Sequence, residues 1–368
     1  MSQLPDNDER FMRLALALGR RGLGRTWPNP AVGALVVRDG VIVGRGWTQD
    51  GGRPHAETEA LLRAGQDAEG ATLYVTLEPC SHHGKTPPCA DAIVAAQVGR
   101  VVAALKDPNP EVAGGGFARL REAGVDVVTG ICEAEARRDH AGHIRRIEDK
   151  RPHVTLKLAV SADGKTALAG RRPVQISGEA ARGRVHLMRA MNDAILIGIG
   201  TALSDNPVLT CRLPGMGHCS PIRVVLDGNL RLPVESALVA GARQHPLWVI
   251  ATADAPLDKE QALQEAGVTV LRIARKNDHL DLRKMLECLA ERGLTRILVE
   301  AGPVLAKAFL KEGLIDEAVI VRSPTPLGSD AIDAIEGEKL DALTASPYFK
   351  VAAEEKLGAD LVTILERA

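Results

Sequence analysis

The sequence predicts an α/β protein of two domains, and three observations carry that reading. Amphipathic segments at helical spacing alternate with short apolar runs of strand length along the whole chain. The 368 residues, 45% of them hydrophobic, exceed one typical domain and can furnish two cores. A charge-rich helical stretch from Glu133 to Lys150 stops at Arg151-Pro152, and a strand pattern begins at once with His153 to Ala159. A helix rarely continues into the residue before proline, so the domains are expected at 1–150 and 151–368.

The elements follow in order. Arg10 to Arg20 has apolar residues at helical spacing and is broken by Thr26-Trp27-Pro28-Asn29-Pro30. Val32 to Val37 and Val41 to Trp47 are strand-like runs split by Asp39-Gly40, a hairpin signal. Then come helix Glu57 to Ala64, strand Thr72 to Leu77, helix Ala90 to Ala96, strand Val101 to Leu105, helix Phe117 to Ala123 and strand Val125 to Val128. The second half reads as strands at 194–197, Ile222 to Leu226, Leu247 to Ala251 and Val268 to Ile273. After them come helix Leu282 to Arg292, strand Arg296 to Glu300, helix Val304 to Lys311, and strands Ala318 to Val321 and Leu361 to Leu365. No motif recurs between the halves, which excludes a tandem repeat.

Charge and composition narrow the function. Lys and Arg number 46 against 47 Asp and Glu, and aromatics are 2%, so neither a basic face nor stacking residues invite nucleic acid or an anionic membrane. A small-molecule substrate is expected. The N-terminus is polar and acidic, and the longest apolar runs, such as Ala194 to Ile199, are far short of a membrane span; a soluble, unexported, cytoplasmic protein is expected. Six scattered cysteines make no disulfide framework.

Chemistry concentrates between Pro54 and Cys89. One imidazole, His55, and two thiols, Cys80 and Cys89, are a natural zinc ligand set. Glu57, a carboxylate that does not ligate, can move protons, and H-x-E followed by P-C and a second cysteine is close to the zinc deaminase signature. Both His55 and Cys89 fall at helix entries, where free N–H groups favour a thiolate. Only the first turn of a helix can aim His55 and Glu57 inward together. The alternative is a closed structural zinc, with His82 or His83 as fourth ligand, or two small buried cysteines. In the second half, Gly198-Ile199-Gly200 follows an apolar strand, but Leu203 stands where the dinucleotide pattern needs its third glycine. Ala301-Gly302-Pro303-Val304 after Arg296 to Glu300 offers a phosphate a helix N-terminus, or is ordinary capping.

The segments PNPAVGALVV, PHAE, YVTLEPCSHHGKTPPCADAI and DPNPEVAGGG resemble the deaminase half of the bifunctional deaminase-reductase family of riboflavin biosynthesis. KLAVSADGKTA, ISGEAAR, DAILIGIGTALSDNPVLTCR and VEAGPVLA resemble its reductase half. The resemblance implies a cytidine-deaminase-like three-layer domain followed by a dihydrofolate-reductase-like α/β domain, one zinc per chain, NADPH, phosphorylated pyrimidine substrates and a homo-oligomer, dimer or larger. It implies His55, Cys80 and Cys89 as metal ligands, Glu57 as proton shuttle, and Asn29, Lys85, Asp107 and Asn109 as the pyrimidine and ribose-phosphate site. Both lie inside N-P turns, where Asn109 is as readily a plain turn former and Asn29 less so. In the reductase half it implies Ala159, Gln175, Thr201, Asp205 and Gly302 at the cofactor. Pro173, Arg189, Leu209, Arg212 and Glu300 are then at the substrate, the arginines being natural phosphate partners, while Lys157 and Asp205 position the sugar; the lesser alternative for these two is a surface charge on an exposed strand or turn. Departures stand beside these matches. Thr48 replaces a common histidine, Gln175 an aromatic and Pro173 a polar residue, while His140 and His143 stand where Asn and Phe are common and read as a solvated or linker-packing face. The rival reading keeps the deaminase and makes the second domain a ligand binder without hydride transfer.

Overall fold

The computed structural model describes residues 7–82, 87–172, 174–276 and 279–368. The chain forms two compact units, Met1–Lys150 and Arg151–Ala368. The first holds helices α1 (Asn7–Gly19), α2 (Ala56–Ala64), α3 (Cys89–Ala95), α4 (Gly115–Glu122), α5 (Glu133–Asp139) and α6 (Ala141–Glu148). Its strands are β1 (Gly33–Arg38), β2 (Val41–Trp47), β3 (Thr72–Val75), β4 (Arg100–Ala103) and β5 (Asp126–Thr129), in the order β2-β1-β3-β4-β5. The β1–β2 hairpin closes on Asp39 and Gly40, both at positive φ, as the tight turn of an Asp-Gly pair requires.

Glycines decide how the layers meet. A Cβ on Gly44 or Gly46 of β2 would lie 2.2 Å from the Ala60 carbonyl oxygen or 2.1 Å from that of Ala56, so α2 rests directly on the sheet. Gly33, on the opposite face of β1, meets the carbonyl of Ala15 in α1 in the same way at 1.9 Å. The sheet is therefore sandwiched between helices, a three-layer arrangement, and α2 is laid in a fixed place with its N-terminus at the site described below.

The single helix expected over 133–150 is two. The chain leaves helical geometry at His140 (φ −94°, ψ 8°) between α5 and α6. His140 and His143 do not form a solvated face: both are buried, His140 Nε2 lying 3.1 Å from Thr76 Oγ1 and His143 Nε2 3.0 Å from Asp107 Oδ1.

The second unit is built on strands β6 (His153–Val160), β7 (Lys165–Ala167), β8 (Ala194–Gly198), β9 (Ile222–Leu226), β10 (Leu247–Thr252), β11 (Thr269–Ile273), β12 (Arg275–Lys276), β13 (His279–Leu280), β14 (Arg296–Glu300), β15 (Glu317–Arg322), β16 (Ile332–Asp333), β17 (Phe349–Leu357) and β18 (Asp360–Arg367). Its helices are α7 (Glu179–Ala190), α8 (Ile199–Asp205), α9 (Ala237–Ala240), α10 (Leu257–Glu265), α11 (Leu282–Glu291), α12 (Pro303–Lys311) and α13 (Asp341–Thr344). Nine strands form one sheet in the order β11-β10-β9-β8-β14-β6-β15-β18-β17, parallel from β11 to β15 and finished by the antiparallel β18–β17 hairpin. The parallel strands are nearly continuous apolar runs, as burial on both faces demands. β14 inserts between β8 and β6, and such a reversal of strand order opens a crevice at the carboxyl ends of the strands. At the start of the unit, Arg151 makes a bidentate pair with Asp316 (2.6 and 2.7 Å), both buried, and the same carboxylate accepts the Val154 N–H at 2.9 Å, tying β6 to the loop before β15.

Candidate active sites

In the first unit, the β2–α2 connection delivers His55 as the residue capping α2, and Pro88 leads into α3 so that Cys89 is its first residue. The His55 Nδ1 stands 3.3 Å from Cys89 Sγ and 3.8 Å from Cys80 Sγ, and the Cys89 backbone N–H donates to Cys80 Sγ at 3.2 Å. All three ligand atoms lie within 4.8 Å of one another. Glu57, one residue into α2, is only 4% exposed. The first turn thus turns both His55 and Glu57 inward, as the H-x-E spacing required. His82, offered above as a fourth ligand, is exposed, and among the described residues the cluster has three members.

The electrostatics describe donors short of a counter-charge. The Cys89 thiol and the His55 ring hold the Cys80 thiol down to about 4. That thiolate, together with burial, pushes the Cys89 thiol far up, and bonding to Cys80 raises His55. Burial lifts the Glu57 carboxyl to about 7. Two sulfurs competing for one negative charge beside an imidazole become compatible when a divalent cation lets both ionise, and this N,S donor set suits zinc.

The remaining deaminase candidates surround that centre unequally. The Asn29 side-chain amide donates to the Gly52 carbonyl at 2.8 Å, three residues before His55. Asp107 is buried, and its Oδ1 accepts the Asn109 N–H at 2.8 Å; Asn109 Oδ1 in turn accepts the Glu111 N–H at 3.2 Å, the behaviour of a turn former. Lys85 lies outside the described residues. Thr48 is fully inside, its hydroxyl accepting the Val32 N–H at 3.0 Å, so it serves the backbone of the β1 approach.

Sequence reasoning passed over Glu78. This buried carboxylate accepts four backbone N–H groups, those of Asp107 (3.2 Å), Gly114 (3.0 Å), Gly116 (3.1 Å) and Phe117 (3.3 Å). A Cβ on Gly116 would come within 2.0 Å of the Pro79 carbonyl oxygen, so the 107–117 loop is seated on the segment that carries Cys80. The available signal was an acid immediately before Pro-Cys, with a glycine run thirty-odd residues on. Glu78→Gln removes the charge from an acceptor of four N–H groups. It should destabilise the first unit by about 2 kcal/mol and depress ammonia release, with NADPH oxidation on supplied deaminated substrate unchanged; calorimetry and the two assays check this.

In the second unit, a cleft of about 400 Å³ opens at the carboxyl ends of β6, β8 and β14. It collects Lys157, Ala159, Arg189, Thr201, Asp205, Leu209, Glu300 and Gly302. Arg189 and Glu300 form a bidentate pair, Nε to Oε1 at 2.7 Å and Nη2 to Oε2 at 3.0 Å, with Arg189 Nη1 donating to the Thr210 carbonyl at 3.2 Å. Arg189, expected as a phosphate partner, is engaged with an acid. Lys157 faces Glu300 in register across β6 and β14, so it is not a solvated strand charge; burial pushes its ammonium below the usual lysine range. Burial opposes ionisation of Glu300, but Lys157 and Arg189 overcome it and hold the carboxyl below its ordinary value. Gly198 and Gly302 cap α8 and α12 at the cleft rim, and a Cβ on Gly302 would press on Thr201 Oγ1 at 3.1 Å. Leu209 is buried at φ +60°, an unusual conformation for a bulky residue held at the wall of this cleft. Asp205 is exposed at the rim, bonded to Ser204 Oγ at 2.6 Å. Gln175 and Arg212 are exposed and do not line the cleft, whereas Thr166, Arg171 and Ile332, which sequence reasoning did not name, do. Pro173 lies outside the described residues.

A His-Cys-Cys cluster with a buried glutamate in one α/β unit marks a zinc deaminase centre, and a polar-floored crevice at the strand ends of another marks a ligand site. The family described as cytidine and deoxycytidylate deaminase zinc-binding region matches residues 5–105, and the RibD C-terminal domain matches residues 152–363. The chain is 41% identical over 367 residues to the riboflavin biosynthesis protein RibD of Escherichia coli K12, covering 96% of this chain and 98% of that one. It is 39% identical to the Aquifex aeolicus protein of the same name, over 98% of both. The solved structure of Acinetobacter baumannii RibD superposes with a TM-score of 0.87 at 38% identity, over 98% of this chain and 99% of that one. The chain belongs to the RibD family of riboflavin biosynthesis proteins. It is a bifunctional enzyme of that pathway, a deaminase and a reductase that use zinc and NADPH. No helix among the described residues is long and apolar enough to cross a membrane.

Proposed function

We propose that the first unit deaminates 2,5-diamino-6-(5-phosphoribosylamino)pyrimidin-4(3H)-one and that the second reduces the ribosyl group of 5-amino-6-(5-phosphoribosylamino)uracil to ribityl. The observation that carries this is that both sites occur in one chain aligned end to end with its relatives. Among these, a Thermotoga maritima structure described as a diaminohydroxyphosphoribosylaminopyrimidine deaminase/5-amino-6-(5-phosphoribosylamino)uracil reductase matches at 34% identity and a TM-score of 0.85.

In the first reaction His55, Cys80 and Cys89 hold zinc, which when bound lowers the pKa of water and so supplies the nucleophile. Glu57, buried and lifted to about 7, would carry one proton of the attacking water to the ring nitrogen and the other to the leaving amine, so that N=C–NH2 and water become HN–C=O and ammonia. Asn29, Lys85, Asp107 and Asn109 hold the pyrimidine and its ribose phosphate. In the second reaction Ala159, Thr201, Asp205 and Gly302, which line the cleft, would hold NADPH, whose nicotinamide would supply hydride. Lys157 and Asp205 would orient the opened ribose, as aldehyde or imine, with its C1 toward the nicotinamide, and the proton that its heteroatom takes up on reduction would come from water. Arg189, Leu209 and Glu300 would complete the substrate site within the cleft. The near-zero net charge supports small phosphorylated substrates and not nucleic acid; a homo-oligomer, dimer or larger, is part of the proposal and is checked by light scattering.

The test supplies the diaminopyrimidine phosphate to the zinc-loaded protein with NADPH and follows ammonia and the nicotinamide absorbance together. Sequential ammonia release and NADPH oxidation support the reading. Ammonia release without NADPH oxidation would leave a deaminase carrying a ligand-binding second unit.

A further inference from the structure

We propose that His143 is a positioning residue of the deaminase, holding the Asp107 carboxylate in the orientation that meets the pyrimidine. This rests on the reading above that Asp107 contacts the substrate.

Asp107 is held from two sides. Its backbone N–H donates to Glu78 Oε2 at 3.2 Å, two residues from the ligand Cys80, and a Cβ on Gly115 or Gly116 at the start of α4 would meet Ser81 Oγ at 2.8 Å or the Pro79 carbonyl oxygen at 2.0 Å. Its place relative to the metal-binding segment is thereby set. Its side chain is a separate matter, since a carboxylate can still rotate about its last bond. Oδ1 takes two bonds, the Asn109 N–H at 2.8 Å within the loop and His143 Nε2 at 3.0 Å from α6, outside the loop. The bond from α6 is the one that reaches the carboxylate from outside its own loop. Oδ2 accepts no hydrogen bond among the described residues, which leaves it for an N–H or amino donor of an aminopyrimidine.

The histidine is an unfavourable choice for packing alone. His143 is 8% exposed and its Nδ1 has no hydrogen-bond partner among the described residues, so an apolar ring of similar size would fill the space without stranding a polar atom. What the imidazole adds is the Nε2–H, and its sole described acceptor is Asp107. Both residues lie outside the 5–105 match to the zinc-binding region.

The experiment compares His143→Phe, His143→Gln, Asp107→Ala and the double variant His143→Phe/Asp107→Ala in the zinc-loaded full chain. We expect His143→Phe to raise the deaminase KM about five- to tenfold, with kcat, zinc content and reductase KM unchanged. His143→Gln, which keeps an N–H donor, should restore KM, and the double variant should be no worse than Asp107→Ala. Nitrogen-15 shifts of the unaltered protein, assigned through the resonance lost in His143→Gln, should show the Nε2–H tautomer, a readout that stands even if His143→Phe does not fold. An Nδ1–H tautomer, or an unchanged KM in folded His143→Phe while Asp107→Ala raises it, overturns the proposal and leaves the Asp107 reading intact. An unchanged KM in Asp107→Ala instead removes Asp107 from the substrate site, and the proposal falls with it.

Discussion

Glu57→Gln is expected to keep zinc and lose ammonia release by about 10²- to 10⁴-fold, the usual contribution of a positioned proton carrier. The substitution is nearly isosteric in a site only 4% exposed, so the first turn of α2 and the three ligands beside it have no reason to move. What disappears is the capacity to take and return a proton, since an amide cannot be protonated at working pH. Reduction of supplied deaminated substrate should continue at the unaltered rate, because Glu57 lies in the first compact unit and the Lys157–Glu300 cleft in the second. Metal analysis, ammonia release and NADPH oxidation on one preparation read all three quantities. A parallel fall of both activities would defeat the reading of two separate centres.

The second large effect is expected at Glu300. The Arg189 and Glu300 side chains are 12% and 15% exposed and joined by two hydrogen bonds, with Lys157 opposite on the neighbouring strand. Glu300→Ala leaves two cations facing each other at the cleft floor with no anion between them. Breaking one partner of such a poorly solvated pair costs about 3 kcal/mol of stability. Reductase kcat/KM should fall about 100-fold as Lys157 and Arg189 separate, the loss that roughly an ångström of misplacement brings. Deamination should be unaffected. The pH dependence has a definite sign. Glu300 titrates below its ordinary 4.5 in the folded chain, so its contribution is fully present above pH 4.5 and is lost as pH falls through the folded value. Glu300→Gln should therefore narrow the gap in melting temperature between neutral and acid pH. A variant that melts like the parent and reduces at the parental rate would show that the cluster neither supports the unit nor orients the substrate.

How much could be read in advance depended on how local each feature is. The β1–β2 hairpin was legible in Asp39-Gly40, since positive φ at both residues is a demand few other pairs meet. The break at His140 was not legible, because helix-forming residues lie on both sides; only the fold shows His140 buried against Thr76, 64 positions away. Strand β17 was missed for a related reason. Phe349–Leu357 is exposed on all but its terminal residues and has no apolar alternation to betray it; it is a strand only because β18 pairs with it. In the cleft, Arg189 looked like a phosphate ligand by type, but Glu300, 111 residues away, takes its Nε and one Nη2 hydrogen.

By itself, then, the sequence determined the alternation of helices and strands, the donor set His55, Cys80 and Cys89, and Glu57 beside it. These features rest on residue type and short spacing, which survive without knowledge of the fold. The tertiary structure alone decided that Glu78 ties the 107–117 loop to the Cys80 segment, that His143 reaches Asp107, and that Lys157, Arg189 and Glu300 share one crevice. Each of these is a contact between groups far apart in the chain. Its partner is chosen by sheet order, by layer packing and by the close approach that Gly33, Gly44, Gly46 and Gly116 permit, none of which any single stretch of sequence contains.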